Sequence, residues 1–437
     1  MTGKTYEMAT GFNLRQAARV PAASSNVTSY DQSAWGILMR ALVEGYGVDP
    51  KTFQLIYPSQ AWNWPVQNAG FISAAQFDTL SSIPQWSAIG KYQSVGERFH
   101  QQYKAFLNVI SPDTSDAVLR QRIDAAYNDV VDKSNQYIRA IQIAEDAFNG
   151  DQSKGDICFT AWLGTIKGRA YQSQIDSSGK AQFAAQAVYA AVVDESKTPN
   201  LTAALESFSN EAYYAKLDSS ELSLPKVPSW GLSEAANVWK DRAQAGNVPG
   251  GSIAISNADS SFDYSRSWAG ASTKVAGFFW AVEVDGKWER IDAFESDASL
   301  SASINFKGLE LIGVSAGQWY SGVKALANGP YKRGFSKDGS SNTTAVFGDE
   351  GFLPMLKTGM WVAYQPTFTI SVSQSTFSSF KDAFSVATGV RVGPFTFRAS
   401  GGSEKAGWTA SERGLVFEGT STSEVPEIFG FNVQVLP

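Results

Sequence analysis

Side chains that commonly carry catalysis or hold metals are scarce in this chain. Its 437 residues include one histidine, His100, and one cysteine, Cys158. The usual zinc sites need several Cys or His ligands, and a Ser-His-Asp or Cys-His mechanism would depend on His100 alone. A disulfide within the chain is impossible. These counts predict no catalytic residue and no cofactor, and they argue against an enzyme.

Both residues lie in settings that suit packing. His100 follows Phe99 within a predicted helix, and Cys158 lies in the apolar stretch of residues 157–162. We interpret His100 as a structural or solvated side chain and Cys158 as a buried structural thiol. The alternative for His100 is a pH-sensitive contact, because an ordinary imidazole changes its charge near neutral pH.

Carboxylates are the remaining candidates for chemistry. Acidic loops occur at residues 259–263, 295–297, 338–342 and 349–350. Oxygen ligands of this kind bind calcium, and a pair of carboxylates can hydrolyse a glycoside. None of the loops has the spacing of an EF-hand, so solvated surface charge is the simpler interpretation and calcium binding stays open.

Tryptophans offer a route to sugar binding, because a flat indole ring can stack on a ligand. Packing in a core or an interface is the alternative, and it is the common role of tryptophan. The candidates are Trp62, Trp64, Trp230, Trp268, Trp280, Trp288, Trp319, Trp361 and Trp408.

Alternating hydroxyl and apolar residues run through much of residues 367–377. A strand with one apolar face and one Ser/Thr face can line a pore, with its apolar face on lipid. The alternative is an ordinary half-buried sheet. Gly393 and Pro394 shift the alternation further along the chain and predict a bulge. The candidate membrane or assembly residues are Phe368, Ile370, Val372, Val390, Val392, Phe395 and Phe397.

Two runs of heptad-like spacing predict a long antiparallel helical hairpin. Its second helix, over residues 116–149, would be about 50 Å long at 1.5 Å per residue, and Gly150 lies where a helix should stop. We expect a third helix, over residues 180–194 or after Thr198-Pro199, to pack against the pair. The predicted seam is Tyr92, Phe99, Tyr103, Phe106, Ile123, Tyr127, Val130, Tyr137, Ile141 and Phe148.

The hydrophobic period changes from 3.6 to 2 beyond residue 260. Asp285-Gly286 predicts a type I′ hairpin turn, and short strands with Gly/Ser turns predict an antiparallel sandwich or barrel-like sheet. The expected strands are residues 277–284, 287–293, 300–306, 309–314, 360–374, 389–399, 414–419 and 428–436.

These elements predict an α+β fold with an N-terminal helical bundle and a C-terminal antiparallel β-sandwich-like domain. We expect an N-terminal arm with short helices over residues 1–84 and a helical bundle with the hairpin over 85–216. A linker with one short helix follows over 217–260, and the β domain covers 261–437.

The net charge and the N-terminal residues of the chain indicate which partners it has and where in the cell it occurs. The net charge is −6, and an acidic surface repels phosphate backbones, so no nucleic-acid partner is expected. We expect no signal peptide, because no apolar run follows Lys4, and no apolar run in the sequence reaches the ~18 residues of a membrane helix. We therefore expect synthesis in the cytoplasm, with the protein staying there or leaving by a leaderless route.

A helical hairpin bundle followed by a β domain resembles several bacterial pore-forming toxins in architecture. We expect a non-enzymatic, self-assembling protein that binds a surface or a membrane. A pore-forming toxin is the sharper form of this expectation. Its partners would be copies of itself and membrane lipid or glycan. The alternatives are a structural subunit of a filament or particle, and a carbohydrate-binding or carboxylate-based glycan-active protein.

Overall fold

The structure is a computed structural model that describes most of the chain. The described residues are 29–64, 71–84, 92, 94–112, 114–155, 157, 159–196, 198–218, 226–259, 278–398 and 406–437. Residues 1–28 of the predicted arm, Cys158 and Trp268 lie outside them.

Within these ranges the chain forms ten α-helices. They are α1 (Ser29–Tyr46), α2 (Ala74–Ser81), α3 (Phe99–Val109), α4 (Ala117–Gly150), α5 (Phe159–Leu163), α6 (Arg169–Asp194), α7 (Pro199–Ser209), α8 (Ala236–Gln244), α9 (Asp292–Ser296) and α10 (Gln374–Val386).

Nineteen strands are present in the same described part of the chain. They are β1 (Phe53–Ala61), β2 (Phe71–Ser73), β3 (Ser82–Pro84), β4 (Ser94–Arg98), β5 (Tyr214–Asp218), β6 (Val227–Pro228), β7 (Trp230–Leu232), β8 (Gly251–Ser256), β9 (Trp280–Val284), β10 (Lys287–Arg290), β11 (Ser301–Ala316), β12 (Phe335–Ser336), β13 (Thr344–Ala345), β14 (Met355–Ser371), β15 (Gly389–Val392), β16 (Phe395–Arg398), β17 (Ala406–Ser411), β18 (Val416–Ser421) and β19 (Glu427–Val435).

The longest helix, α4, follows from local signals. The Asp116 side chain caps its start by accepting hydrogen bonds from the backbone N–H groups of Val118, at 2.8 Å, and Leu119, at 3.3 Å. Such a cap satisfies amide donors that have no partner inside the helix. The helix ends at Gly150, as predicted.

A long antiparallel helical hairpin is present, but its arms are α4 and α6, and not the predicted pair of α4 with the helix that precedes it. The Tyr127 and Tyr189 rings lie 5.9 Å apart, and Arg122 forms an ion pair with Glu195 at 2.7 Å, so the two helices run antiparallel. The prediction that the first arm begins at Tyr92 is wrong. Residues Ser94–Arg98 instead form a strand that pairs with β3, and Gly96 within it has a positive φ of 84°, which a helix does not contain.

The larger sheet has eight strands, and its central path runs β1-β19-β14-β11-β7. β14 is hydrogen-bonded on both sides, to β11 along one edge and to β18 and β19 along the other. β1 pairs with the C-terminal β19. A segment expected in the N-terminal arm thus completes the C-terminal sheet, and β11 is one long strand where two were expected.

The smaller sheet has the order β10-β9-β15-β16. Asp285 and Gly286 both have positive φ, at 51° and 74°, which confirms the predicted hairpin turn between β9 and β10. The expected bulge at Gly393 and Pro394 is wrong. These two residues form a second tight turn, since Val392 pairs directly with Phe395.

The two sheets pack face to face, which makes the C-terminal part a sandwich within an α+β fold. Phe306 of the larger sheet lies 5.1 Å from Phe395 of the smaller one, and Phe368 lies 4.7 Å from Phe397, measured between ring centroids. We call the buried cluster between the sheets, with α1 and α10, the sandwich core.

Two further clusters complete the interior. The central core joins α2, α3, α7, the near half of the α4–α6 hairpin and one end of the larger sheet. The distal cluster is separate and draws only on residues between 137 and 175: Ala140, Ile141, Ala144, Phe159, Trp162, Leu163 and Ile175, with Tyr137, Ala147, Phe148 and Tyr171 packed against them.

Candidate functional site

The predicted membrane or assembly strands lie inside the sandwich core. All seven candidate residues, Phe368, Ile370, Val372, Val390, Val392, Phe395 and Phe397, are buried there. The alternating Thr367, Thr369 and Ser371 lie on the opposite face of β14 and are partly buried. Contact of the apolar face with lipid would therefore require the two sheets to separate.

The predicted helical seam is divided between two clusters. Phe99, Tyr103, Phe106, Ile123 and Val130 are buried in the central core, and Tyr92 and Tyr127 pack against it. Tyr137, Ile141 and Phe148 belong to the distal cluster. The hairpin therefore has a root on the body of the protein and an outer part with its own small core.

A polar clamp holds the end of this outer part. The Asp151 carboxylate accepts hydrogen bonds from Trp162 Nε1 at 2.9 Å, from Ser153 Oγ at 2.7 Å and from Lys167 Nζ at 2.9 Å. Hydrogen bonds from Ser153, Trp162 and Lys167 hold the pKa of Asp151 well below its ordinary value. The clamp ties the end of α4 to the loop before α6.

The loop beyond the clamp presents an apolar side chain to solvent. Ile166 is 93% exposed, and Ile157 near it is exposed as well. Lys167 follows Ile166 directly in the sequence, and Arg169 follows after Gly168. A large aliphatic side chain that is this exposed, at the end of a helical arm, is suited to contact another surface.

The outward face of α6 is apolar and made mostly of small residues. Four exposed residues at spacings of three, one and three lie on one side of the helix: Ala184, Ala187, Val188 and Ala191. Val188 is 56% exposed. Lys180 precedes this face and Glu195 follows it, and both are exposed. Sequence reasoning treated this segment only as a packing helix, although the alanine pattern was visible.

Most of the candidate sugar-stacking tryptophans are packing residues. Trp62, Trp64, Trp230, Trp280, Trp319 and Trp361 are buried. Trp288 and Trp408 are partly buried. One Trp288 neighbour is a cation, because the Arg391 guanidinium lies 4.0 Å from its ring centroid. This Arg391 contact limits the room for a sugar on that ring.

His100 packs near Phe77, with 5.6 Å between ring centroids. Burial, together with the nearby charges of Arg98 and Lys104, lowers the pKa of His100 to about 3. The imidazole is therefore neutral at neutral pH, and the structure favours the packing interpretation over the pH-sensitive contact.

Sequence reasoning missed a buried cation in β14. Lys357 is 2% exposed, and its Nζ donates to the Thr79 carbonyl at 2.5 Å, to Ser82 Oγ at 2.7 Å and to Tyr92 OH at 2.9 Å. Burial lowers the pKa of Lys357 well below its ordinary value. Lys357 directly follows Met355 and Leu356 at the start of β14, and a lysine beside these apolar residues was the available signal. Its partners come from α2, β3 and Tyr92, so it fastens these elements to the larger sheet.

The acidic loops show structural roles where they are described. Asp297 accepts hydrogen bonds from the backbone N–H groups of Ser299 and Ser373, and Asp338 accepts one from Ser340. Among the described residues, no three His, Cys, Asp or Glu side chains are grouped closely enough to hold a metal ion. None of the described helices has a stretch long and apolar enough to cross a bilayer.

Comparison with known proteins adds no relative. No family model, no curated protein and no solved structure matches the chain.

Proposed function

We propose that this protein is a non-enzymatic, self-assembling protein, and that the outward face of α6 is a contact between copies. The observation that carries the proposal is the pattern of this face. An apolar stripe of Ala184, Ala187, Val188 and Ala191 is bounded by a cation at one end and an anion at the other.

The pattern is self-complementary for two antiparallel helices. If a second copy pairs about the midpoint between Ala187 and Val188, those two residues face each other across the contact. Ala184 then faces Ala191, and Lys180 faces Glu195. A two-fold contact of this kind uses the same patch on both subunits.

The chemistry of the face also suits close approach of two helices. Alanine side chains permit interaxial distances near the short end of the usual range of about 8–10 Å. Glu195 already pairs with Arg122 of its own chain, and both side chains are about half exposed. A second cation from another copy can join this ion pair without burying it. One helix pair covers less than a standard interface of about 1,600 Å², so we expect weak, concentration-dependent association.

Sedimentation equilibrium over a range of micromolar concentrations tests the contact. Lys180→Glu places like charges opposite each other and should weaken association about tenfold, equivalent to ~1.4 kcal/mol. Adding Glu195→Lys to the same chain should restore association, because each pair again joins opposite charges. Val118→Glu, at an exposed position of α4, is the matched control and should leave it unchanged. Equal association of all four proteins would falsify the proposed contact.

A second candidate function is attachment to anionic membranes through the end of the hairpin. The exposed Ile166 supports it, since an aliphatic side chain close in sequence to the exposed Arg169 combines apolar and electrostatic attraction to lipid. Co-sedimentation with phosphatidylserine vesicles measures it, and Ile166→Asp should reduce binding while Val118→Asp should not. Dye release from the same vesicles tests the pore-forming form. An absence of both binding and release would rule this candidate out.

A further inference from the structure

A small cavity lies where the hairpin root meets the body of the protein. It has a volume of ≈ 10 Å³, measured as the space open to the centre of a water molecule, and lies among α3, α4, α6 and α7. Four of its lining residues are apolar, and the other four are Lys104, Asn108, Gln186 and Tyr189. A cavity of about this size holds one water-sized particle.

Two polar groups of residues that line this cavity have no hydrogen-bond partner among the described residues. The Tyr189 hydroxyl and Gln186 Oε1 are buried, and neither makes a hydrogen bond with any described residue. Tyr189 is 1% exposed and Gln186 is 8% exposed. Because buried polar groups in native proteins are nearly always paired, their convergence on one cavity indicates an occupant.

Lys104 adds a formal positive charge to the same cavity. Its Nζ donates to Ser134 Oγ at 3.2 Å, and Ser134 in turn donates to the Val130 carbonyl at 2.8 Å. No carboxylate of the described residues forms an ion pair with Lys104. Burial lowers the pKa of Lys104 to about 8, so the ammonium form predominates at neutral pH.

We propose that this cavity binds one small monovalent anion of the size of chloride. The Lys104 ammonium and the Tyr189 hydroxyl donate to it. The Gln186 side-chain amide donates as well after a 180° turn, which exchanges its oxygen and nitrogen in nearly the same shape. An anion is favoured over water because it compensates a desolvated cation as well as accepting hydrogen bonds. The site is independent of self-assembly through the outward face of α6.

An anion held by the folded protein and not by the unfolded chain stabilises the fold. We expect the melting temperature to rise by about 3 °C when gluconate is replaced by chloride at constant ionic strength, well above the dissociation constant. Lys104→Met should abolish the rise, and Tyr189→Phe should reduce it. Lys324→Met, which removes an exposed cation elsewhere, should preserve it and controls for general salt effects.

Crystals of the full chain grown in sodium bromide identify the occupant directly. The proposal predicts an anomalous bromide peak in the cavity of the wild type and of Lys324→Met, and no peak in Lys104→Met. Tyr189→Phe provides the comparison should Lys104→Met fail to fold, and its peak should be weaker. A wild-type cavity without bromide, or a melting temperature equal in chloride and gluconate, would show that the cavity holds water and would overturn the proposal.

Discussion

Trp162 lies at the centre of the distal cluster, and its replacement by alanine tests whether the outer half of the hairpin is a separate unit of stability. The indole ring is buried and has Tyr171 and Phe148 as neighbours, with ring centroids 5.4 and 5.8 Å away. Its Nε1 also donates to Asp151. Removal of such a ring commonly costs about 3–5 kcal/mol.

The cost should fall on the hairpin alone, since the distal cluster draws only on residues between 137 and 175. Each 1.4 kcal/mol is a factor of ten, so backbone amides of residues 137–150 and 169–179 should exchange hydrogen about 10²- to 4 × 10³-fold faster. The amides of β11 and β14 should keep their rates. Hydrogen exchange followed by mass spectrometry separates these regions.

Two controls set the limits of this prediction. Trp162→Phe keeps an aromatic ring and loses the bond to Asp151, so its effect should be nearer 1 kcal/mol. Val118→Ala changes an exposed side chain at the other end of α4 and should have no effect. The reasoning is refuted if Trp162→Ala accelerates exchange in β11 and β14 as strongly as in the hairpin, because the outer part would then unfold only with the whole protein.

Three further predictions concern single residues. The pKa of the Asp151 carboxylate is lowered, so the stability that Asp151 gives the hairpin is present above the ordinary carboxyl pKa and is lost as the pH falls towards the pKa in the folded protein. Trp162 fluorescence between pH 6 and 2 should report this loss. Asp151→Asn should remove the pH dependence. Burial lowers the pKa of Lys357 from 10.5, so the wild type should gain stability relative to Lys357→Met as the pH rises towards 10.5. Urea titrations of both proteins measure this. A difference in unfolding free energy between them that does not change with pH would contradict a lowered pKa. Gly430→Ala should cost about 1–3 kcal/mol, because a Cβ there would lie 2.3 Å from the Phe53 ring, whereas Gly407→Ala in the same sheet meets nothing within 4 Å and should be near neutral by thermal unfolding.

Local patterns predicted many elements well. The stop at Gly150 and Pro199 at the start of α7 each depend on a few neighbouring residues; α4 begins and ends close to the expected places, and α7 begins where expected. The turn at Asp285-Gly286 is local in the same sense. α10 was missed although Phe377, Phe380 and Phe384 have helical spacing, because the hydroxyl alternation before them was extended too far.

Pairings between distant segments could not be obtained in this way. The heptad pattern of α4 specifies an apolar face, and either α3 or α6 could cover it. The structure selects α6, because β4 leaves α3 too short to be the second arm. In the same way, β1 has the pattern of a strand, and nothing in that pattern names β19 as its neighbour.

The sequence by itself therefore determined the class of fold, the long helix α4, the change from helix to strand period and the scarcity of catalytic side chains. Only the tertiary structure decided which faces are covered. It buries the hydroxyl-alternating strand, leaves one face of α6 open, and gathers Lys104, Gln186 and Tyr189 at one cavity. The physical reason is that hydrogen bonding and side-chain period act over a few residues, whereas burial depends on segments that meet across the whole chain.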